Sequence, residues 1–418
     1  MKQGPVTVIQ AGAVRDAVGV SASPGVVWVE RGQVVASGGP GVVPVEVMQR
    51  ATLIELPETL VLPAFVNAHA HLDLTAVGPQ PYDPARGFVG WVQMLRSHWP
   101  TDPGPGVTPD AGWFVEAAKA GAAMSRASGV QAVGDISRFT QVAEARRSEG
   151  LAGVTYIEAF GLGPPNDAEG LAEAALGRDG LQPHAPYSAG PALYAAAAQS
   201  GRPISTHLAE TLDELAFVAS LSGAKMDFIR SIGRWQDRFA SGYGQGVSPV
   251  QWMRPHLERA ASDGGWLLAH CNYVDDDDIA LLADTNASVA YCPAASAYFG
   301  HPHDGHPPHR YRDMLGAGVN VTLGTDSIVC GDPGDPQPLG LLGAMRLLYR
   351  RDGADPATLL RMATINGVRA LRMPDVTATL QPGAPARFAL VDIEPDSGED
   401  ALQQVMAKDA RAEPLDLT

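Results

Sequence analysis

Two histidines one residue apart, His69 and His71, follow the apolar run Leu60-Val61-Leu62-Pro63-Ala64-Phe65-Val66. A short apolar run of this kind reads as a buried strand delivering side chains to its C-terminal end. In an extended chain, residues i and i+2 point the same way, so both imidazoles can reach one metal ion. Other apolar runs end in comparable residues. Pro203-Ile204-Ser205-Thr206-His207 closes on a histidine, with Glu210 three residues on. Trp266-Leu267-Leu268-Ala269-His270 closes on another, and the segment from Val319 to Ser327 carries Asp326. His69, His71, His207 and Asp326 form a reasonable ligand set for Zn²⁺ or Fe²⁺ with one position left to water. The ion lowers that water's pKa to about 7 and makes hydroxide available. Glu210 is placed to carry a proton from the water to a substrate, while His270 and Asp326 hold and orient the nucleophile.

These residues meet only if their strands lie side by side. Strand-like segments fall at 60–67, 130–135, 152–160, 181–185, 203–207, 266–270, 287–292 and 319–325, with helix-like stretches such as 112–128, 190–200 and 275–285 between them. Alternation of this kind predicts an α/β chain, a (β/α)₈ TIM-type barrel whose strands end at one mouth. Short β-rich pieces occupy the first sixty residues and 383–391. They predict a small β-sandwich built from both termini, residues 1–60 plus 375–418, around a barrel at 61–374. The run Asp275-Asp276-Asp277-Asp278 reads as the acidic first turn of a helix. Two insertions, 74–110 and 208–263, follow the first and fifth strands. Lying on the strand-end face, they are candidates for an apolar substrate wall or a mobile lid, Trp91 included. Their aromatics could equally pack the insertions' own helices.

Composition narrows the partners. The 418 residues carry a net charge of -16, from 46 acidic and 30 basic residues. That balance argues against nucleic acid or an anionic membrane and leaves a small-molecule substrate. The N-terminus shows no apolar h-region, and no stretch approaches the roughly 20 apolar residues of a membrane span. Three cysteines, Cys271, Cys292 and Cys330, make no disulfide framework, and a cytoplasmic location is expected. The oligomeric state is open, a homodimer being one form.

The combination resembles the amidohydrolase superfamily over nearly the whole chain. The matching pieces are Pro63-x-Phe65-x-Asn67-x-His69-x-His71, His207-Leu208-Ala209-Glu210, Ala269-His270-Cys271 and Leu323-Gly324-Thr325-Asp326-Ser327. Met362 to Leu371 and the turn Leu380-Gln381-Pro382-Gly383 look similar too. The resemblance implies the barrel, the flanking sandwich and metal-dependent hydrolysis. Its mononuclear aminohydrolase branch, the cytosine, guanine, adenosine-type and S-adenosylhomocysteine deaminases, looks nearest. Binuclear members bridge two metals with a carboxylated lysine, and none of Lys2, Lys119, Lys225 and Lys408 lies at a predicted barrel strand end. Glu158 could in principle take the bridging place. His184-Ala185-Pro186-Tyr187 looks like the His-x-Pro-Tyr segment whose histidine contacts the substrate's heterocycle. The implied substrate contacts are therefore His184, Tyr187, Glu210 and Trp91.

The implied reaction is hydrolytic deamination. Hydroxide attacks C6 of an adenine-like nucleoside or purine, and ammonia leaves. Aminodeoxyfutalosine, an adenine nucleoside of menaquinone biosynthesis with an aromatic tail, is the best specific substrate. The same site could instead open a cyclic amide or imidazolone, or break a carbon–halogen bond. A non-catalytic scaffold on this fold would be expected to lose ligands, and none is missing. The chain departs from its relatives after the seventh strand. Many carry Cys-Pro-x-Ser-Asn where this one reads Cys292-Pro293-Ala294-Ala295-Ser296, followed by a loop with His301, His303, His306 and His309. That loop is expected to overhang the site, as an ordered wall or as a second metal site.

Overall fold

The apolar run leading to His69 is two strands rather than one. A computed structural model describes residues 6–100, 110–162, 179–303 and 305–418. In chain order its strands are β1 (Val6–Arg15), β2 (Ser21–Ala22), β3 (Gly25–Glu30), β4 (Gln33–Gly38), β5 (Thr52–Pro63), β6 (Phe65–Ala70), β7 (Val130–Ser137) and β8 (Ala152–Ala159). Then come β9 (Gly180–Pro183), β10 (Ser205–Leu208), β11 (Leu267–His270), β12 (Ser288–Tyr291), β13 (Asn320–Leu323), β14 (Arg387–Asp392) and β15 (Ala412–Asp416). The expected strand at 60–67 is thus divided at Ala64. Its first half, at the end of β5, pairs with β14 and β1, and its second half, in β6, pairs with β7. Pro63 has no N–H to extend the β5 ladder, and Ala64 turns its own N–H to Arg387 O at 3.1 Å.

Strands from both ends of the chain share one seven-stranded sheet, in the order β15-β14-β5-β1-β3-β4 with β2 beside β1. The middle of the chain forms two four-stranded parallel sheets, β6-β7-β8-β9 and β10-β11-β12-β13. Nearly every residue of these eight strands is buried. Parallel strands covered on both faces lose the apolar–polar alternation and read as short apolar runs. Isolated parallel bridges, Leu181 with Ile204 and Ala70 with Asp326, link one sheet to the other. At the second of these, Thr325 N and Asp326 N both donate to His69 O at 3.0 Å. Gly324 permits this approach, because a Cβ there would stand 2.9 Å from His69 O, His69 Cβ and Cys292 Sγ.

The connections carry helices, as alternation predicts. The Asp275 run opens the helix Asp276–Asp284 with a complete capping box between Asp275 and Asp278. The first insertion contributes helix Gly87–Ser97, while residues 101–109 of it lie outside the described residues. The second contributes helices Leu212–Ser220 and Ala224–Ser231. Phe217, Phe239, Tyr243, Trp235 and Trp252 pack together, and against Leu162, Ala185 and Tyr187 from outside the insertion. Among the described residues, no helix is long and apolar enough to cross a membrane.

Candidate active site

The ends of β6, β10, β11 and β13 bring His69, His71, His207, His270 and Asp326 into one cluster. The ring centroids of His69 lie 5.2 Å from His71, 5.1 Å from His207 and 5.5 Å from His270. His71 Nε2 and His207 Nε2 face each other at 3.4 Å, and Asp326 Oδ1 lies 3.6 Å from His71 Nε2 and 4.0 Å from His69 Nε2. One ligand atom from each of His69, His71 and His207 falls within 4.8 Å of the others. Zinc held tetrahedrally through bonds of about 2.0–2.1 Å sets its ligand nitrogens roughly 3.3 Å apart, so this spacing fits a divalent ion. Both ring nitrogens of His69 are buried without a hydrogen-bond partner, an arrangement that costs free energy unless something binds them.

The electrostatics agree with a cation site. Burial, and then His207, His71 and His270, hold the His69 imidazole well below its ordinary pKa. Burial first also depresses His71, His207 and His270. Neutral imidazole is the form that binds a metal. Burial, and then the neighbouring Glu210, push the Asp326 carboxyl up to about 7. Tautomers are set from outside the cluster. His207 Nδ1 lies 3.0 Å from His184 O and 3.3 Å from Gln182 Nε2. Donating to the carbonyl leaves Nε2 of His207 free to face the cluster.

Four non-glycine residues around this cluster occupy the left-handed region: Ala209 (φ 50°), His270 (φ 74°), Cys271 (φ 51°) and Asp326 (φ 60°). Each costs ~1–3 kcal/mol, and such residues persist where the surroundings hold them. The Glu214 carboxylate accepts from Ala209 N at 2.8 Å and Glu210 N at 3.1 Å. Cys271 N donates to Leu208 O at 2.9 Å, and His309 Nε2 donates to His270 O at 2.8 Å. Glu210 is buried, and its Oε1 stands 3.8 Å from His270 Nε2. Asn272 Nδ2 donates to Glu210 O at 3.0 Å.

A cavity of about 400 Å³ opens from this cluster between the helices Gly87–Ser97 and Ala224–Ser231. His184, Tyr187, Glu210 and Trp91 all line it, as do Asp73, Glu158 and Lys225. His184 stacks on Phe160 with centroids 4.7 Å apart. Trp91 packs edge-on against Phe299 at 5.2 Å. Lys225, buried in the second insertion, holds its ammonium 3.6 Å from the Tyr187 ring centroid and 4.1 Å from that of Phe88. The histidine loop divides. His309 stacks on Tyr291 at 3.6 Å and supports His270, while His301 Nδ1 meets Tyr273 Oη at 2.8 Å. Among the described residues, the groups with metal-ligand spacing are His69-His71-His207 and Glu158-His184-His207, so the loop supplies neither.

Glu214, Gln182, Asp73 and Lys225 were not singled out from sequence. For Glu214 a signal exists: Thr211-Leu212-Asp213-Glu214 directly after Glu210 is a capping-box pattern. Thr211 does cap Glu214 N at 3.2 Å, but the glutamate turns back to two earlier amides. Lys225 sits within a helix, where nothing in the spacing distinguishes it from a surface lysine.

Comparison with known proteins agrees with the geometry. The chain is 27% identical over 404 aligned residues to 5-methylthioadenosine/S-adenosylhomocysteine deaminase of Symbiobacterium thermophilum, covering 88% of this chain and 81% of the relative. Helicobacter pylori aminofutalosine deaminase in complex with methylthio-coformycin superposes with a TM-score of 0.73 at 19% identity, covering 97% of each chain. An adenosine deaminase from Xanthomonas campestris with bound zinc gives 0.68 at 20% identity, covering 98% of this chain and 90% of that one. The amidohydrolase family model matches residues 60–414, a span that holds every residue of the cluster. The chain belongs to the amidohydrolase family, as a hydrolytic enzyme acting on C–N bonds.

Proposed function

We propose that the protein is a metal-dependent hydrolytic deaminase of an adenine-bearing nucleoside. The observation that carries this reading is Glu210, buried beside His270 in a cluster whose other three imidazoles have metal-ligand spacing. The relatives named for deamination of methylthioadenosine and S-adenosylhomocysteine support the same class. The two parallel sheets are read as halves of one (β/α)₈ barrel at 61–374, with 1–60 and 375–418 forming the flanking β domain. His69, His71, His207 and Asp326 would hold one divalent cation, zinc or iron. Its chemistry there is to make water acidic enough to supply hydroxide near neutral pH.

The remaining work falls to the chain. Glu210 takes the proton of the attacking water and passes it to the ring nitrogen beside the reacting carbon, then toward the leaving amine. His270, fixed through its carbonyl by His309, and Asp326 orient the nucleophile. Tyr187 and Trp91 bound the space the base and its tail enter, and His184 meets the heterocycle. Apolar walls from both insertions suit a nucleoside with an aromatic tail, and aminodeoxyfutalosine is the specific substrate proposed.

An ammonia-release screen tests this. Metal-loaded protein is offered adenosine, methylthioadenosine, S-adenosylhomocysteine, aminodeoxyfutalosine, guanine and cytosine. Release from the adenine nucleosides is expected, and Glu210→Gln should lose at least ~10²-fold in rate while keeping its metal. No ammonia from any purine or pyrimidine, or near-normal turnover by Glu210→Gln, would overturn the proposal.

A further inference from the structure

Lys225 is a buried cation whose hydrogens have no acceptor. It lies in the first turn of the helix Ala224–Ser231, in the second insertion, and is only 2% exposed. A positive charge there opposes the helix dipole, so the helix gains nothing from it. The ammonium sits over the Tyr187 and Phe88 rings, and Nζ has no hydrogen-bond partner. Burial, the leading cause, lowers its pKa, while Glu210, Glu214 and Asp213 oppose that and favour the charged form. None of these carboxylates takes up its hydrogens. Glu214 accepts from Ala209 N and Glu210 N, Asp213 Oδ1 accepts from Ala224 N at 3.2 Å, and Glu210 Oε1 stands beside His270. Ring faces attract an ammonium but do not replace hydrogen-bond acceptors.

Lys225 lines the cavity that opens from the cluster, as do Arg96, Arg138 and Arg234. Positive charge is gathered on this wall in a chain whose net charge is -16. A ligand that fills the cavity excludes water from Nζ, so it must itself offer an acceptor or leave a buried charge unpaired. A neutral thioether tail offers only a weakly accepting sulfur. A carboxylate or phosphate offers charged oxygens and the stronger, charge-assisted bond.

We propose that Lys225 binds an acidic oxygen on the tail of the substrate, so that the site selects adenine nucleosides with an anionic tail over those with a neutral one. This rests on the deaminase reading of the same site. Lys225 is a specificity determinant that touches the substrate away from the reacting atoms.

The test measures kcat/KM for ammonia release by metal-loaded protein from matched nucleosides. Methylthioadenosine and its carboxymethylthio and 3-carboxypropylthio analogues differ in the tail acid and its reach, and adenosine and AMP form the phosphate pair. The wild type should prefer at least one acidic member to its neutral partner by ~10- to 10²-fold, the scale of a hydrogen bond between charged groups. Preference within the thioether series assigns a carboxylate, and preference for AMP assigns a phosphate. Lys225→Met should lose a comparable factor on the preferred acid, and at least ~10-fold less on its neutral partner. The wild-type comparison needs no variant, so a variant that fails to fold leaves the inference exposed to refutation. Equal rates on acidic and neutral nucleosides, with ammonia still released, overturn the inference and leave the deaminase reading standing. An equal loss by Lys225→Met on every substrate places the ammonium at the reacting end and also overturns it, as does a preference for the acid that survives the substitution. No ammonia from any of them removes the deaminase reading and this inference with it.

Discussion

Gly324 lies where the two strands that supply most of the histidine–aspartate cluster approach each other, and Gly324→Ala should damage the site more than the fold. The added Cβ would meet His69 O, His69 Cβ and Cys292 Sγ, each at 2.9 Å. Real Cβ contacts essentially never come so close, so β13 and the end of β6 must part by several tenths of an ångström. Overpacking of this kind costs about 1–3 kcal/mol. For a chain this long, the melting entropy makes 1 kcal/mol only about 1 °C, so heat reports the change poorly. Metal affinity reports it better. The carbonyl pushed away is the acceptor for both Thr325 N and Asp326 N, and these bonds fix Asp326 against His69. Losing support behind ligands typically weakens metal binding 10–100-fold. The assay is competition for zinc between metal-free protein and a chromophoric chelator. Gly316→Ala serves as control, since a Cβ there meets nothing within 4 Å. It should be neutral or slightly stabilising. Wild-type zinc affinity in Gly324→Ala would refute the argument that this close approach holds the cluster together.

Two further predictions concern groups around the cluster. Glu214→Gln replaces one of the oxygens that hold Ala209 N and Glu210 N. It should cost about 1–3 kcal/mol in denaturant unfolding. It should also lower kcat by ~10-fold or more with zinc content and KM little changed, whereas a purely structural role would leave kcat intact. His309 gives a pH prediction. Burial, the dominant cause, holds it at about 4, below the ordinary 6.5. Its Nδ1 is already accepting from Tyr311 N at 3.1 Å and so resists a proton. As pH falls from about 6.5 toward 4, the unfolded chain takes up a proton that the native chain refuses. Stability from this group is therefore full above 6.5 and declines by about 3 kcal/mol by pH 4. Urea unfolding across that window should be flatter in His309→Gln, and an unchanged slope counts against the assignment.

The cluster was legible because its side chains close apolar runs, a pattern that buried parallel strands impose on any sequence. His69, His71, His207, His270 and Asp326 all lie where the runs predicted, since i and i+2 geometry and strand ends leave few alternatives. The partition of Leu60 to Asn67 was not legible. An apolar run covered on both faces carries no period, so nothing in it marks Ala64 as the change from one sheet to the next. Glu214 and Gln182 escaped because each acts through a backbone amide or another side chain, and those contacts depend on turns that spacing does not encode. Lys225 escaped for a different reason. A lysine in a helix is exposed by default, and only the aromatic rings from other segments enclose this one. In the histidine loop, of the two readings the sequence left, the ordered loop is the one seen, with His309 and His301 serving as hydrogen-bonding props.

The sheet that joins β5 to β14 and β1 also constrains how the protein is made. β5 runs directly into the strand that carries His69, yet its partner β14 leaves the ribosome more than three hundred residues later. Asp326, which locks against His69, is likewise late. During synthesis β5 therefore waits with one edge unpaired and apolar, the condition in which chains associate with their neighbours. Heterologous production should accordingly respond to slower translation or added chaperones in soluble yield, while the specific activity of the recovered protein stays the same.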